Sequence, residues 1–551
     1  MCLLSTAILL SSIASGLAAP AVDRPDAAQV LRNTQKTELI LPPEERPELT
    51  VKEQSPRPPM NMENGKKIRV ENIRVTGQNV LSSAELAAIY QDKLQQELTL
   101  TELNQIAMKI TNHFKERGYL VAQAYLPPQE INQGSVEIAV LIGQYGEIIL
   151  KNHSSVSDRA IKQQLAALRP GANINNKDLE RAILLAGDLT GITAKVTLTP
   201  GKQTGVADCI VETTNQAGNI HGSISVNNWG NRFIGSVQSM SNYHVMNPSR
   251  SGDDLSLNVT SAGSDISLAG ASYRLALGEG LTFNTGYSQV RYWLGEDFAY
   301  LNAHGTAYTK HADLTWAMQR SRTSNLNVQL GYDYKTFHDL TDSSGGVIDK
   351  SSHATMLGVS GDSHDTVGGG GVNAYTLQWY HGGLTAQSNT TLPPIGSWNK
   401  TAYSLFRQQT LKNRLVLQTA LSGQWASTNL DSSERFSLGG ANGVRAYPAN
   451  EASGDEAWLF SGELHWIIPL PEKKHMLQLI GFYDTGVSHI AKDSTASDNR
   501  RALSGAGLGV IWGLPGDYSV KVNYAWKLGS AAAQSDTDKS GRLWLQAVKT
   551  F

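Results

Sequence analysis

From about residue 219 to the C-terminus, apolar and polar residues alternate one by one, segment after segment. Leu326, Val328, Leu330, Tyr332 and Tyr334 are interleaved with Asn327, Gln329, Gly331 and Asp333. Tyr518, Val520, Val522, Tyr524 and Trp526 are interleaved with Ser519, Lys521, Asn523 and Ala525. A period of two places each set on its own face of a strand. Past residue 20 no run of about 18 apolar residues occurs, so membrane-spanning helices are not expected. Strands with one apolar and one polar face fit a barrel wall with lipid outside and water inside. About sixteen such segments are counted, an even number as antiparallel closure demands. They begin near residues 220, 235, 254, 266, 281, 306, 325, 353, 372, 400, 412, 457, 476, 502, 518 and 543.

The connections sort into two kinds. From the fifth strand on, the odd-numbered ones are long, about 290–305, 338–352, 382–399, 426–456, 489–501 and 527–542, while even-numbered ones such as 410–411 and 513–517 are short. Long extracellular loops opposite short periplasmic turns are the barrel pattern. A soluble β-sandwich also alternates, but it needs no such asymmetry and carries more surface charge. Here charged residues make up 17% of the chain, against roughly 25% in soluble proteins. The expected fold is a transmembrane β-barrel of about 16 antiparallel strands over residues 216–551, behind two periplasmic α/β modules.

The segments in front of the barrel read differently. Residues 1–19 form a signal peptide, with an apolar stretch from Leu3 to Ala14 too short to span a bilayer and no basic flank before it. Residues 20–41 hold a short amphipathic helix, within about Asp26 to Ile40. Residues 42–66 are a linker carrying Pro42, Pro43, Pro47, Pro56, Pro58 and Pro59, which makes it extended and semi-rigid. Residues 67–143 and 144–215 then repeat one order, strand, helix, helix, strand, strand. In the first copy Leu103, Ile106, Ala107, Ile110 and Phe114 fall at helical spacing, Thr99 and Glu102 form a capping box, and Gly118 ends the helix. Of the two cysteines, Cys2 leaves with the signal peptide and Cys209 is a lone apolar residue in a strand.

A formal net charge of −2 and a pI near 6.7 give no basic patch for nucleic acid. No metalloprotease, nucleophile-elbow or phosphate-loop signature occurs, and the thirteen histidines lie at no ligand spacing. The glycine run from Gly368 to Gly371 has no helix after it and reads as a turn. No enzyme activity, catalytic residue, metal or cofactor is expected.

Four features together resemble the two-partner secretion transporters, the TpsB family (ShlB/FhaC/HecB-like), within the superfamily of barrels with polypeptide-transport-associated (POTRA) modules. The two repeated modules are similar to POTRA domains, most closely from Arg117-Gly118-Tyr119-Leu120 through Tyr125-Leu126-Pro127-Pro128-Gln129. The N-terminal helix and proline-rich tether resemble the family's plug helix and linker. The longest connection holds Gly439-Gly440, Val444-Arg445-Ala446-Tyr447 and Gly454-Asp455, similar to the family's V-R-G-Y loop motif. Phe482-Tyr483-Asp484-Thr485-Gly486 on the thirteenth strand matches its F-x-D-x-G pattern. Two departures stand out. Ala446 replaces the usual glycine, which is expected to stiffen the loop tip, and Lys549 sits where barrel C-termini prefer an apolar residue. Phe551 fits the terminal signature read by the barrel-assembly machinery.

The resemblance implies an outer-membrane transporter with its modules in the periplasm, surrounded by lipid and lipopolysaccharide. Its partner is one large secreted protein (TpsA type), an adhesin, haemolysin or toxin, taken unfolded and exported without ATP. Porin activity is also implied. The runner-up is a barrel-assembly or insertion factor of the same superfamily. For the site, the resemblance implies a loop–lumen lock of Val444, Arg445, Tyr447, Phe482, Asp484 and Gly486. Alternation puts Asp484 on the lumen face of strand thirteen and Glu463, a further acid, on that of strand twelve. In a water-filled lumen such a pair is worth about 1–2 kcal/mol, since solvent screens the charges.

Overall fold

The computed structural model describes residues 24–34, 49–51 and 67–551, apart from 217, 264, 391–392, 471–474 and 497. The signal-peptide expectation, residues 1–19, lies outside them, as does the linker apart from residues 49–51. Ahead of the barrel run α1 (Ala27–Thr34), β1 (Leu49–Val51), β2 (Lys67–Arg69), β3 (Asn72–Thr76), α2 (Ser83–Tyr90), β4 (Glu97–Thr99), α3 (Leu100–Glu116), β5 (Gln123–Tyr125) and β6 (Ser135–Leu141). They are followed by β7 (Gln144–His153), α4 (Asp158–Gln164), α5 (Asn176–Gly187), β8 (Ile192–Pro200) and β9 (Val206–Asn215).

The barrel begins with β10 (Ile220–Asn227), β11 (Gln238–Met246), β12 (Asp254–Ala262), β13 (Ile266–Gly278), β14 (Leu281–Trp293) and β15 (Ala303–Arg320). Next come β16 (Ser324–Thr341), β17 (Gly346–Asp365), β18 (Gly371–Ser388), β19 (Gly396–Thr410) and β20 (Leu415–Ala426). Two short strands of one loop, β21 (Phe436–Ser437) and β22 (Ser453–Gly454), pair with each other. The wall resumes with β23 (Glu456–Pro469), β24 (Met476–His489), β25 (Arg500–Leu514), β26 (Tyr518–Lys527) and β27 (Gly541–Thr550). Sixteen strands close as one antiparallel barrel, as the alternation predicts, with β27 pairing back onto β10. The closing seam has five register pairs from Ser223–Thr550 to Asn227–Gln546, extended by mutual backbone bonds between Gly222 and Phe551. Leu330, Tyr332, Trp379, Leu464, Trp466 and Trp512 stand exposed on the outer face, as a lipid-facing surface requires. Lys549 pairs with Asp517 in the neighbouring turn, which is how a cation is held beside the terminal Phe551.

Three of the long loops are shorter than the sequence suggests. The stretches read as loops 338–352 and 382–399 are mostly strand, leaving connections 342–345 and 389–395, and the one near 290–305 shrinks to 294–302. A tilted strand needs about 9–11 residues to cross the hydrocarbon, whereas β15, β16 and β18 have 18 residues each and β17 has 20. Their outer ends project beyond the membrane, where the outer face turns polar while Phe337, Asp339, Lys350 and Ser352 stay buried on the inner face, so the apolar-out alternation is lost. Polar pairs such as His338–Asp349 at 2.6 Å and Ser351–Thr385 at 2.8 Å mark those ends.

Each module packs two helices on a small sheet. In the first, β3 and β5 flank β6, and Leu103, Ile106, Ala107, Ile110 and Phe114 of α3 fill its core. The capping box forms, with the Glu102 amide donating to the Thr99 hydroxyl and the Thr99 amide to the Glu102 carboxylate. Strand β5 is short, because the chain from Gly118 (φ +95°) turns tightly through Tyr119 to Ala122 before it extends. In the second, β7 and β8 flank β9, and burial pushes the Cys209 thiol on β9 up to about 12. That leaves Cys209 inert.

The second module sits on the turns at one end of the barrel. Arg320 donates two bonds of 2.8 Å to Asp188, and Arg274 donates to Thr190 at 2.6 Å. The turn 247–253 is braced by buried Asp253, which accepts from the Ser249 amide at 3.1 Å and the Tyr273 hydroxyl at 2.6 Å. Its Gly252 carbonyl accepts from the Thr190 amide of the module at 3.0 Å. One edge of this module's sheet is already taken. Leu49–Val51, from the proline-rich tether, pair in parallel with Val196–Leu198 of β8.

These contacts fix which barrel end faces the periplasm. Epitope tags inserted within 389–395 or 490–499 will be labelled on intact cells, and tags within 411–414 or 515–517 will not. The reverse pattern of surface labelling would refute the orientation.

Candidate functional site

The longest connection, residues 427–455, folds back into the barrel instead of extending outward. Its β21–β22 ribbon carries a compact tip in which the Val444 amide donates to the Leu438 carbonyl at 2.7 Å and the Gly439 amide to the Glu451 carbonyl at 3.0 Å. A Cβ at Gly443 would lie 2.0 Å from the Leu438 oxygen, so only glycine permits the turn. Leu438, Val444, Ala446 and Tyr447 are fully buried, packed on Ile480, Phe482, Leu503 and Ala525 of the wall.

Arg445 is the polar centre of this tip. Its Nε donates to Asp484 Oδ2 at 2.8 Å, its Nη2 to Asp484 Oδ1 at 2.7 Å, and its Nη1 to Glu463 Oε1 at 2.6 Å. Its plane lies 3.5 Å from the Phe482 ring centre, a cation–π contact. Its own amide bonds Asp484 at 3.2 Å, and the Trp544 indole of β27 donates to its carbonyl at 2.7 Å. Asp484 accepts once more from Ser461 at 2.8 Å, and His465 holds the far oxygen of Glu463 at 2.8 Å. Strand alternation explains the assembly. Phe482, Asp484 and Gly486 occupy the inner face of β24, while Leu479 and Tyr483 are exposed outside. Arg445 is 3% exposed and Asp484 0%. The water screening expected from sequence is therefore absent, and breaking a buried pair costs about 3–5 kcal/mol.

Glycines of the wall make room for the loop. A Cβ at Gly486 would come within 2.8 Å of Leu438, one at Gly505 within 2.5 Å of the Ala446 methyl, and one at Gly507 within 2.3 Å of Phe482. The extra methyl of Ala446 thus rests in space left by Gly505, and Ala446 is not among the residues with positive φ. The alanine is accommodated by packing and imposes no backbone strain. Tyr447, the last motif residue, is buried and its hydroxyl donates to the Ala531 carbonyl of the connection between β26 and β27 at 3.1 Å. All seven sequence-derived residues lie within this one region.

Several participants were not apparent from sequence. Buried Glu451 accepts from Arg501 at 2.7 Å and from the Gln534 and Ser535 amides at 2.8 Å, tying the tip to residues 528–540. A second polar cluster joins α1, the loop and the wall. Asp26 accepts from Lys350 of β17 at 2.9 Å and from Ser432 of the loop at 2.6 Å. Arg32 donates to the Ser432 and Arg435 carbonyls at 3.0 Å, to Ser453 at 2.9 Å and to Ser437 at 3.0 Å. Glu434 receives Lys335 at 2.7 Å and Lys400 at 2.6 Å. The apolar face of α1, Ala27, Ala28, Val30 and Leu31, packs on Leu268, Val290, Tyr292 and Phe337 inside the barrel. The available signal was three lysines, 335, 350 and 400, at inward positions of strands, with Asp431 and Glu434 in the loop to receive them.

The arrangement is that of a lumen filled by one helix and one loop, with periplasmic modules at its entrance. A model of the family described as haemolysin secretion/activation protein ShlB/FhaC/HecB matches residues 205–511, and one described as POTRA domain, ShlB-type, matches residues 68–143. The heme/hemopexin transporter protein HuxB of Haemophilus influenzae is 27% identical over 550 residues, covering 96% of each chain. The outer membrane transporter CdiB of Escherichia coli O6:K15:H31 is 23% identical over 461 residues, covering 81% of this chain and 76% of the relative. The solved structure of CdiB from Escherichia coli superposes with a TM-score of 0.73 at 20% identity, covering 96% of both chains. BamA from Haemophilus ducreyi, lacking its POTRA domains 1–3, gives 0.51 at 15% identity, over 88% of this chain and all of that one. These likenesses show a shared fold.

Two outcomes test the geometry. Arg445→Ala and Asp484→Ala will each leave a heat-resistant barrel and expose the loop tip to added protease. The double variant will be hardly worse than either single one, because the two residues act through one contact. Arg445→Lys will not restore protection, since one ammonium cannot serve both carboxylates and the ring. Full addition of the two losses would show that the residues act separately. Deleting residues 21–40 will raise ion conductance through the folded barrel in planar bilayers, and unchanged conductance would mean that α1 does not obstruct the lumen.

Proposed function

The chain belongs to the ShlB/FhaC/HecB family of haemolysin secretion/activation proteins, and from that premise we propose that it exports one large partner protein, unfolded and without ATP, through its own barrel. Chains of this kind are outer-membrane transporters of secreted partner proteins, with their POTRA modules in the periplasm. The observation that carries the reading is the occupied lumen. A short helix and a single loop obstruct the passage, and each is held by a small set of side-chain contacts. A passive pore has no use for such contacts, and a passage opened only for a cargo needs them.

The unfolded state of the cargo follows from size and energy supply. A lumen of sixteen strands with its helix and loop displaced admits an extended chain and excludes a folded domain. No nucleotide-binding motif is present in the chain, so directional movement rests on folding outside the cell. The modules would bind the cargo before that, by pairing an extended segment with a sheet edge. Val444, Arg445, Tyr447, Phe482, Asp484, Gly486 and Glu463 would then act as the lock that holds the loop in the resting state. Outer-membrane lipid and lipopolysaccharide surround the barrel in this reading, and the barrel-assembly machinery reads Phe551 during insertion. HuxB is named for heme and hemopexin, and a partner that handles such a ligand is one form the cargo could take.

Deleting the gene will remove one large protein from the culture medium and leave the other outer-membrane barrels at normal levels. Quantitative proteomics of medium and membrane reads both. General depletion of barrels, with no single protein missing from the medium, would instead identify an assembly factor.

A further inference from the structure

Two cations stand on the lipid-facing side of the barrel wall. The outward positions of β14 run from Leu281 through Tyr287 to Trp293, and those of β15 from Met318 through Trp316 to His304. Arg291 and Lys310 fall in these two series, and both are exposed. A charge that faces hydrocarbon is costly unless its side chain reaches the membrane boundary and meets an opposite charge there. The protein supplies no such charge. No outward position of β14 or β15 holds an acid, and Asp313 of β15 lies on the inner face, where Asn284 donates to it at 2.8 Å. Asp342 and Asp349, beyond the outer ends, are taken by His304 at 3.3 Å and His338 at 2.6 Å. Among the described residues neither Arg291 nor Lys310 makes an ion pair.

Both cations belong to the outer leaflet. A tilted strand crosses the hydrocarbon in about 9–11 residues. Counted from the register pair Leu281–Trp316 at the periplasmic end, that span ends at Gln289 to Arg291 on β14 and at Tyr308 to Thr306 on β15. Arg291 therefore stands at the outer boundary. Lys310, one outward position below Tyr308, lifts its ammonium to the same level along its flexible stem. Between the cations lie Tyr287 and Tyr308, with ring centres 6.3 Å apart, and the Gln289 amide, 3.4 Å from the Tyr308 hydroxyl and 2.9 Å from Arg291 Nε. Toward the periplasm a groove of about 400 Å³ follows on the same outer face, lined by Leu255, Ala271, Tyr273, Thr285, Tyr287 and Lys310. The patch thus carries positive charge and polar groups at the boundary and an apolar channel beneath. A phosphorylated glycolipid has the complementary order, with phosphates on a sugar headgroup above acyl chains. We infer that β14 and β15 hold one lipid A anchor of lipopolysaccharide, its phosphates on Arg291 and Lys310 and an acyl chain in the groove. This rests on the reading that lipopolysaccharide surrounds the barrel and adds where one molecule is held and by which groups. The inner face of the same strands seats α1 through Val290, Tyr292, Ala303 and Ala307, so the site lies directly behind the helix.

The full-length protein is taken from membranes in two ways. Polymer-cut native nanodiscs keep the lipid around the barrel, and detergent extraction with exchange keeps only lipid that is tightly held. Native mass spectrometry of the detergent-exchanged parent will show one bound lipopolysaccharide molecule per barrel. The double variant Arg291→Gln, Lys310→Gln will stay heat-resistant, since both side chains face outward, and will retain about ten-fold less. Lys412→Gln, which removes a cation from an exposed turn at the periplasmic end, will retain as much as the parent. Added back to the delipidated parent, purified lipid A will bind about ten-fold more tightly than its dephosphorylated form, and equimolar phosphatidylglycerol will not displace it. Equal retention by the double variant overturns the proposal. Equal binding of dephosphorylated lipid A, which needs no variant to measure, also overturns it, as does displacement by phosphatidylglycerol. Nanodiscs free of lipopolysaccharide would refute the surrounding lipid and the site together. Nanodiscs that contain it, around a barrel that keeps none after exchange, would refute the site alone.

Discussion

In hydrocarbon, every backbone donor and acceptor must find its partner within the protein. For strands this demands closure, and the pairing of β27 onto β10 supplies it. Closure then creates an interior that lipid cannot reach. Alternation sends the apolar half of each strand outward and the polar half inward, so the lumen is lined by side chains that tolerate charge. The helix α1 and the loop 427–455 exploit that lining. The loop could not exist at membrane depth outside a barrel, because irregular backbone there would be left without bonds.

Charge placed in such an interior has to be matched. Arg445 and Asp484 are sealed from solvent, and an unpaired charge there would be costly. The structure answers with a saturated cluster in which guanidinium, two carboxylates, a serine, a histidine and an aromatic ring all meet. Breaking one contact there leaves a buried charge exposed to nothing. The cost falls on the position of the loop and leaves barrel closure intact, because closure rests on backbone bonds around the whole circumference. The cluster is thus a strong local contact on a separately stabilised frame.

Much of this was legible in the sequence, for physical reasons. Strand number and placement were readable because lipid on one side and water on the other enforce a period of two. Leu479 and Tyr483 outside, with Phe482 and Asp484 inside, follow from counting alone. The first module's α3 was legible through its capping box and its 3.6-residue apolar stripe. Loop lengths were misread where β16 and β17 extend beyond the membrane, since their outer face turns polar there and the apolar-out signal fades although the inner face stays buried. The parallel pairing of Leu49–Val51 with β8 was invisible because it joins residues far apart in sequence through backbone bonds, to which side-chain patterns are blind. The contacts of Glu451 and Trp544 were hidden for a related reason. They depend on how one loop lies against another, and no local rule sets that.

The two obstructions in the lumen are not equivalent. The loop is fixed to the wall independently of the helix, through Arg445 on β24, through Trp544 on β27, and through Glu451 on Arg501. The helix leans on the loop. Among the described residues, the bonds of Arg32 go to residues 432–453, and Asp26 divides its carboxylate between Lys350 of the wall and Ser432 of the loop. The helix is held further by an apolar face of four residues and by the contacts of Ala27 with Asp339 and Arg24 with Thr341. Withdrawal of the helix leaves the Arg445 cluster whole. Displacement of the loop takes from the helix the bonds of Arg32 and the Ser432 bond of Asp26. The contacts therefore impose an order. The helix can leave while the loop's own anchors stay in place, whereas a loop that moves first strips the helix of its bonds as well.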